Sequence, residues 1–152
     1  MTFEARFDLS DVHWTHMEGG PEYDYPIEYD VAVLGSQPEN GTLDLLVRFA
    51  PNSHCHFHRH VAATRTLVLQ GEHHVFDIEP DGETVHKIKP AGTYGQSPGG
   101  EIHMERGGPD GAIVLFNLHS PTGVLFESLD ADHNISAVST IESMSEGPLM
   151  GG

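Results

Sequence analysis

A chain of 152 residues is long enough for one domain with a sizeable core and too short for two ordinary ones. Its 23 Asp plus Glu against seven Lys plus Arg leave a net charge of −16 with histidine neutral, which repels nucleic-acid phosphates and anionic membrane surfaces and argues against both as partners. The chain shows no basic-then-apolar leader and no apolar run near the ~20 residues of a membrane helix, so the expectation is a soluble, cytoplasmic protein. Cys55 is the only cysteine, so no intrachain disulfide can form.

In chain order, the acidic opening over residues 1–30 carries Trp14 and a Glu/Tyr/Pro cluster at 21–29, and reads as an arm packed on the main domain or on a neighbouring subunit. From 31 to 142 the apolar residues recur with period two, as in Leu43, Leu45, Val47 and Phe49, the pattern of half-buried strands; Leu46 interrupts it. Strands are predicted over 31–34, 42–49, 54–61, 64–70, 73–79, 84–89, 102–106, 112–119, 124–129 and 135–141. Turn signals separate them, among them Pro51-Asn52, Gly71, Pro80-Asp81-Gly82, Pro90-Ala91-Gly92, Pro98-Gly99-Gly100, the run from Gly107 to Gly111 and the stretch 130–134. Short strands at close spacing imply an all-β sandwich or closed barrel with minor or no helix, and residues 143–152 read as a flexible tail.

Residues 54–60 read His54-Cys55-His56-Phe57-His58-Arg59-His60, and residues two apart on a strand share a face. Four imidazoles would then line one side, with Cys55, Phe57 and Arg59 on the other. Protonating several neighbouring rings is repulsive, and a metal holds them neutral; imidazole suits Fe, Zn, Cu and Ni. The bland alternative is a solvated polar strand face. Cys55 reads as a small buried hydrophobe.

These residues resemble the cupin superfamily, whose first motif is G-x5-H-x-H-x3,4-E-x6-G and whose second is G-x5-P-x-G-x2-H-x3-N. Asn52 stands in the opening glycine position, His58 and His60 in the histidine positions and Gly71 at the end; Gly92, Pro98, Gly100 and His103 fit the second motif, with Gly107 in place of its asparagine. A slip of two would make His56 and His58 the pair. The resemblance implies a double-stranded β-helix (jelly-roll barrel) holding one divalent transition metal through His58, His60 and His103, with Fe(II) the first expectation and Zn(II) the next. The motif's glutamate position falls on Thr64, or Arg65 with a one-residue slip, so the usual carboxylate is missing and the ion is expected to keep its full charge. Three-histidine cupins of this kind resemble acetylacetone (β-diketone) dioxygenase and the cupin module of zinc-dependent anti-sigma regulators. The first resemblance implies a non-haem Fe(II) enzyme that takes dioxygen and a small anionic or enolisable substrate and cleaves a carbon-carbon bond. The second implies a non-catalytic zinc sensor, and an oxygen-independent isomerase or lyase is a third possibility. By the same analogy a homodimer or homotetramer is expected.

Around the three ligands, His54 and His56 share the predicted strand face and are candidates for orienting or joining them. Thr64 and Gln70 are predicted to face the barrel interior, and Arg48 is a candidate for the pocket although an outward charge is its ordinary reading. Glu101 and Glu105 flank His103 at two residues on either side, where one could serve as a base or anion beside the metal; turn and rim positions are the alternatives. His13, His16, His73, His74, His86, His119 and His133 carry no motif and read as surface or structural.

Overall fold

A computed structural model describes residues 8–146 of the chain. Its strands are β1 (Thr15–Glu18), β2 (Glu28–Gln37), β3 (Thr42–Phe49), β4 (His58–His60), β5 (Ala63–Ile78), β6 (Thr84–Pro90), β7 (Tyr94–Ser97), β8 (Ile102–His119), β9 (Val124–Leu129) and β10 (Ile135–Thr140), followed by a short helix α1 (Ile141–Glu146). They form one antiparallel sheet in the order β1-β2-β3-β8-β4-β9-β10, with β5 pairing β8 and carrying β6 and β7. The sheet curls on itself into an all-β jelly roll. Among the described residues no helix is long and apolar enough to cross a membrane.

The core follows from the two-residue period. Leu43, Leu45, Val47 and Phe49 of β3 are buried against Val114, Phe116 and Leu118 of β8. Leu46, which interrupts that alternation, faces the opposite side and packs with Ala32 and Ile113 over Trp14 and Leu115. That outer cluster explains why an apolar residue sits out of phase. Residues of the predicted arm are strand: β1 pairs β2, and Met17, Ile27 and Tyr29 enter the main core. Residues 143–146 of the predicted flexible tail belong to α1, which buries Ile141 and Met144 in that core; 147–152 lie outside the described residues.

The largest departures from the predicted strands are two breaks that the structure does not contain. Gly71 and the run Gly107 to Gly111 were expected as turns, yet β5 and β8 continue through them for 16 and 18 residues. The glycines act as kinks inside long strands. Register shifts occur between Val68 and Gln70 and between Gly71 and His73, and on β8 the buried face passes from His103 and Glu105 to Ala112, Val114 and Phe116 across the bend. Strands that turn a corner in this way do so through bulges and glycine. In the other direction, 54–57 is not regular strand: β4 is only three residues long, and β7 forms between the turn signals at 90–92 and 98–100, where no strand was predicted.

Gly71 adopts φ +74°, and a β-carbon there would stand 2.1 Å from the Gly111 carbonyl oxygen. Neither feature tolerates a side chain. Gly71→Ala should therefore cost at least ~2 kcal/mol of stability, measured as a fall in the urea midpoint at unchanged slope.

Candidate metal centre

Four buried side chains meet where β4 crosses β8. His58 and His60 share one face of β4, His103 pairs with His58 in the ladder, and Glu105 lies two residues beyond His103 on the same face of β8. The three imidazoles stand 4.5–4.9 Å apart between ring centroids. One donor atom from each of the four residues can be chosen so that all lie within 4.8 Å of one another. Paired positions of adjacent strands are a few ångströms apart, so the two-residue repeat of each strand supplies two donors and the ladder brings the pairs together.

Each imidazole is held in one tautomer. His58 Nδ1 donates to the His56 carbonyl at 2.7 Å. Thr64 Oγ1 donates to the Ala62 carbonyl at 3.1 Å and so accepts from His60 Nδ1 at 3.0 Å. His103 Nδ1 faces the Asp77 carboxylate at 3.3 Å. All three Nδ1 protons are thereby fixed, and each ring, when neutral, presents an Nε2 lone pair toward the cluster. His60 Nε2 and His103 Nε2 are buried without a hydrogen-bond partner. Buried orphans of this kind are rare and call for a ligand, and three neutral nitrogens with a carboxylate form a donor set that suits a divalent transition metal.

Glu105 corrects the expectation of a missing carboxylate. Thr64 does hold the motif's glutamate position, but its hydroxyl orients His60, while an anion arrives from the other strand: Glu105 Oε2 lies 3.2, 3.5 and 3.9 Å from the Nε2 atoms of His58, His103 and His60. Its Oε1 accepts from His73 Nε2 at 2.8 Å. Burial opposes ionisation of Glu105, but His103, His58 and His60 outweigh it and hold the carboxyl well below the usual range. Burial likewise pulls His58 and His103 down, and the facing carboxylate helps to raise both above the ordinary imidazole value. Cys55, whose own thiol is pushed up by burial, is the larger raising influence on His58, and Glu105 the next. His60, buried and facing His103, is pushed down to about 3. A hydrogen bond from His103, opposed by burial and aided by Lys87, holds Asp77 at about 2.

A model of the ChrR cupin-like domain matches residues 4–123. The chain belongs to that cupin family. No curated protein matches it. Among solved structures this cupin is similar to an acetylacetone dioxygenase from Acinetobacter johnsonii, with TM-score 0.68 and 16% identity over 96% of this chain and 91% of that one. An RmlC-like cupin protein from Ralstonia eutropha JMP134 gives TM-score 0.66 and 16% identity over 93% and 82% of the two chains. An oxalate decarboxylase variant from Bacillus subtilis gives 0.60 and 16% over 85% of this chain and 31% of that one. At such identities the likeness is one of fold.

His60, His103 and Glu105 of the cluster form part of the wall of a cavity of about 660 Å³, lined otherwise mainly from β5, β6, β7 and β8. Thr64 and Glu101 reach it, Glu101 among its lining residues while its backbone carbonyl accepts from the His60 amide. Other candidates do not. His54 lies outside β4, with Nδ1 3.3 Å from the Pro26 carbonyl and its ring against Tyr25. His56 is buried but bonds Tyr29 through Nδ1; its carbonyl, not its ring, serves His58. The reason is local: 54–57 is irregular, so the four histidines do not share one face. The same irregularity brings Cys55 beneath the cluster, 3.9 Å from Glu105 Oε2. Gln70 is exposed because the bulge after Val68 turns it outward, and Arg48 pairs with Asp30 at 2.7 Å on that outer side. His73 and Asp77 were passed over in the sequence. Their signal was strand phase, since 73, 75 and 77 alternate on one face of β5 and all line the cavity.

Protons and metal compete for the same Nε2 atoms. With His58 and His103 raised above the usual imidazole value, metal-free protein holds protons there into the neutral range, and these must leave when metal binds. Zinc affinity should therefore weaken as pH falls from about 8 to about 6, with proton release on binding, both measurable by calorimetry in buffers of different ionisation heat. Glu105→Gln should weaken zinc about 100-fold or more, and Thr64→Val about tenfold, because the first loses a ligand and the second only frees a ring; competition with a chromophoric chelator measures both.

Proposed function

We propose that this cupin is a mononuclear non-haem Fe(II) dioxygenase that cleaves a carbon-carbon bond of a small β-diketone or similar enolisable ketone. The observation that carries the reading is a set of four buried donors, three of which, His60, His103 and Glu105, line an accessible cavity of about 660 Å³, a size suited to a small molecule. Likeness in fold to an acetylacetone dioxygenase over nearly the whole of both chains supports it. His58, His60, His103 and Glu105 would hold the ion. Bound there, Fe(II) would supply chelation of an enolate through two oxygens and activation of dioxygen.

What the protein contributes is geometry and a controlled environment. Thr64, Asp77 and the His56 carbonyl keep the three rings in the ligating tautomer, so no reorganisation is required when substrate arrives. Glu105 contributes one negative charge, which leaves a divalent ion with a single net positive charge, matched to a singly charged enolate. His73 donates to Glu105 Oε1 and fixes which carboxylate oxygen faces the rings. Phe116 and Phe126 pack against His60 and limit water on the apolar side of the centre.

Four protein donors also suit a closed tetrahedral zinc site, and this favours a second reading, a zinc-binding regulatory cupin without catalysis. One experiment separates the two. Anaerobic addition of acetylacetone to the Fe(II)-loaded protein should produce a visible charge-transfer band, and admission of air should give oxygen uptake matched to diketone loss. Tightly retained zinc after purification without added metal, no band, and no uptake across a diketone panel would leave the regulatory reading standing instead.

A further inference from the structure

The chain contains only two lysines, Lys87 and Lys89, and both line the metal-site cavity. Their situations differ. Lys87 Nζ is 2.8 Å from Asp77 Oδ2, and Asp77 in turn holds His103, so its charge is committed to the wall. Lys89 is half-buried and, among the described residues, forms no ion pair. In a protein of net charge −16, Lys89 is a half-buried cation on the wall of an accessible cavity that no carboxylate has recruited.

The surroundings of Lys89 are shaped to keep it so. It pairs across the ladder with His73, the donor to Glu105, and paired strand residues share a face. Lys89 is therefore aimed to the same side as the metal cluster. Gly95 of β7 lacks the side chain that would fill the space: a β-carbon there would stand 3.4 Å from Lys89 Nζ and 3.2 Å from Thr66 Oγ1. An ammonium and a hydroxyl, both on the cavity wall, thus flank the space that Gly95 leaves open. β6 is separated from β8 by β5 alone, and through His73 Lys89 is in register with Gly107, two residues beyond Glu105, which puts its backbone about 12 Å from that of Glu105.

We propose that Lys89, with Thr66 beside it, is the receptor for a carboxylate carried by the substrate. The natural substrate is then a keto acid whose carboxylate sits on a short tether beyond the chelating oxygens, rather than a neutral diketone. One ammonium and one hydroxyl match a singly charged carboxylate; a phosphate is usually cradled by several donors. This inference rests on the chelating site proposed above for its other end.

The test uses zinc-loaded protein, with metal content confirmed at one ion per chain, and calorimetric affinities for two ligand pairs. Succinylacetone adds a tethered carboxylate to the diketone acetylacetone, and 2-oxoglutarate adds one to the keto acid pyruvate. Wild-type protein should bind the acid-bearing member of a pair about tenfold or more tightly. Lys89→Met should reduce that ratio to about one, while Lys89→Arg retains most of it. Equal affinities within both pairs in wild type, or a preference that survives Lys89→Met, would overturn the proposal. If neither diketone binds but 2-oxoglutarate still exceeds pyruvate in a Lys89-dependent manner, the carboxylate receptor stands and the diketone reading falls.

Discussion

A buried carboxylate sets the terms for this structure. Glu105 is only 4% exposed and lies deep between the strands, where an isolated anion would be costly enough to neutralise itself by taking a proton. Three imidazoles and His73 surround it, so the anion survives only through what they offer. Without metal they can offer protons, which is why His58 and His103 are raised while His60, crowded against His103, is not. With metal they can offer lone pairs. The same four side chains have two self-consistent charge arrangements, and a divalent ion replaces protons that would otherwise repel one another across rings less than 5 Å apart.

The fold makes this possible by bending its two longest strands. A straight β8 would continue one alternation from His103 to Leu118 and put half of its apolar residues on the wrong face. The kink between Gly107 and Gly111 changes the phase, so that the first half delivers His103 and Glu105 and the second half delivers Ala112, Val114, Phe116 and Leu118 to the same interior. β5 bends beside it at Gly71. Glycine is required there because the two backbones approach within contact distance of any side chain. Asn52, which stands where the cupin motif has glycine, adopts φ +54°, a region that asparagine tolerates better than most residues. The motif's conformational requirement is met although its residue is not.

Much of the fold was legible because alternation is a strong local signal. It found β3 and β9 at their observed bounds, while the resemblance to the two cupin motifs, not alternation, singled out His58, His60 and His103, which the structure brings together with Glu105. What failed were inferences that extended a local pattern past its physical limit. Four alternating histidines suggested one face, but 54–57 is irregular, so the ring of His56 bonds Tyr29 and that of His54 packs on Tyr25. Gly71 and Gly107 look the same in sequence whether they end a strand or kink it, since both uses need the same backbone freedom. Glu105 was visible as a neighbour of His103, yet a motif that places its carboxylate on the first strand pair drew attention to Thr64. The loss of an anion at one position and its supply from another is a long-range compensation, and only the ladder between β4 and β8 shows it. His73 and Asp77 were missed for the same reason, because their partners lie 32 and 26 residues away.

Charge on the cavity wall links the centre to whatever it binds. Asp77, Glu79, Glu101 and Glu105 face the same space as Lys87 and Lys89, four anions against two cations. With the imidazoles neutral, as metal binding requires, both the cavity and the chain as a whole attract cations and oppose anions. A divalent ion cancels the excess of two within the cavity. On the proposed reading, only after that would an enolate or carboxylate meet a wall that does not repel it, with Lys89 left as the cation that no wall carboxylate has claimed. On that reading, the acidic composition that first argued against nucleic acid and membrane has a positive role: it would favour metal loading first and admit an anion second, an order set by electrostatics and requiring no moving part.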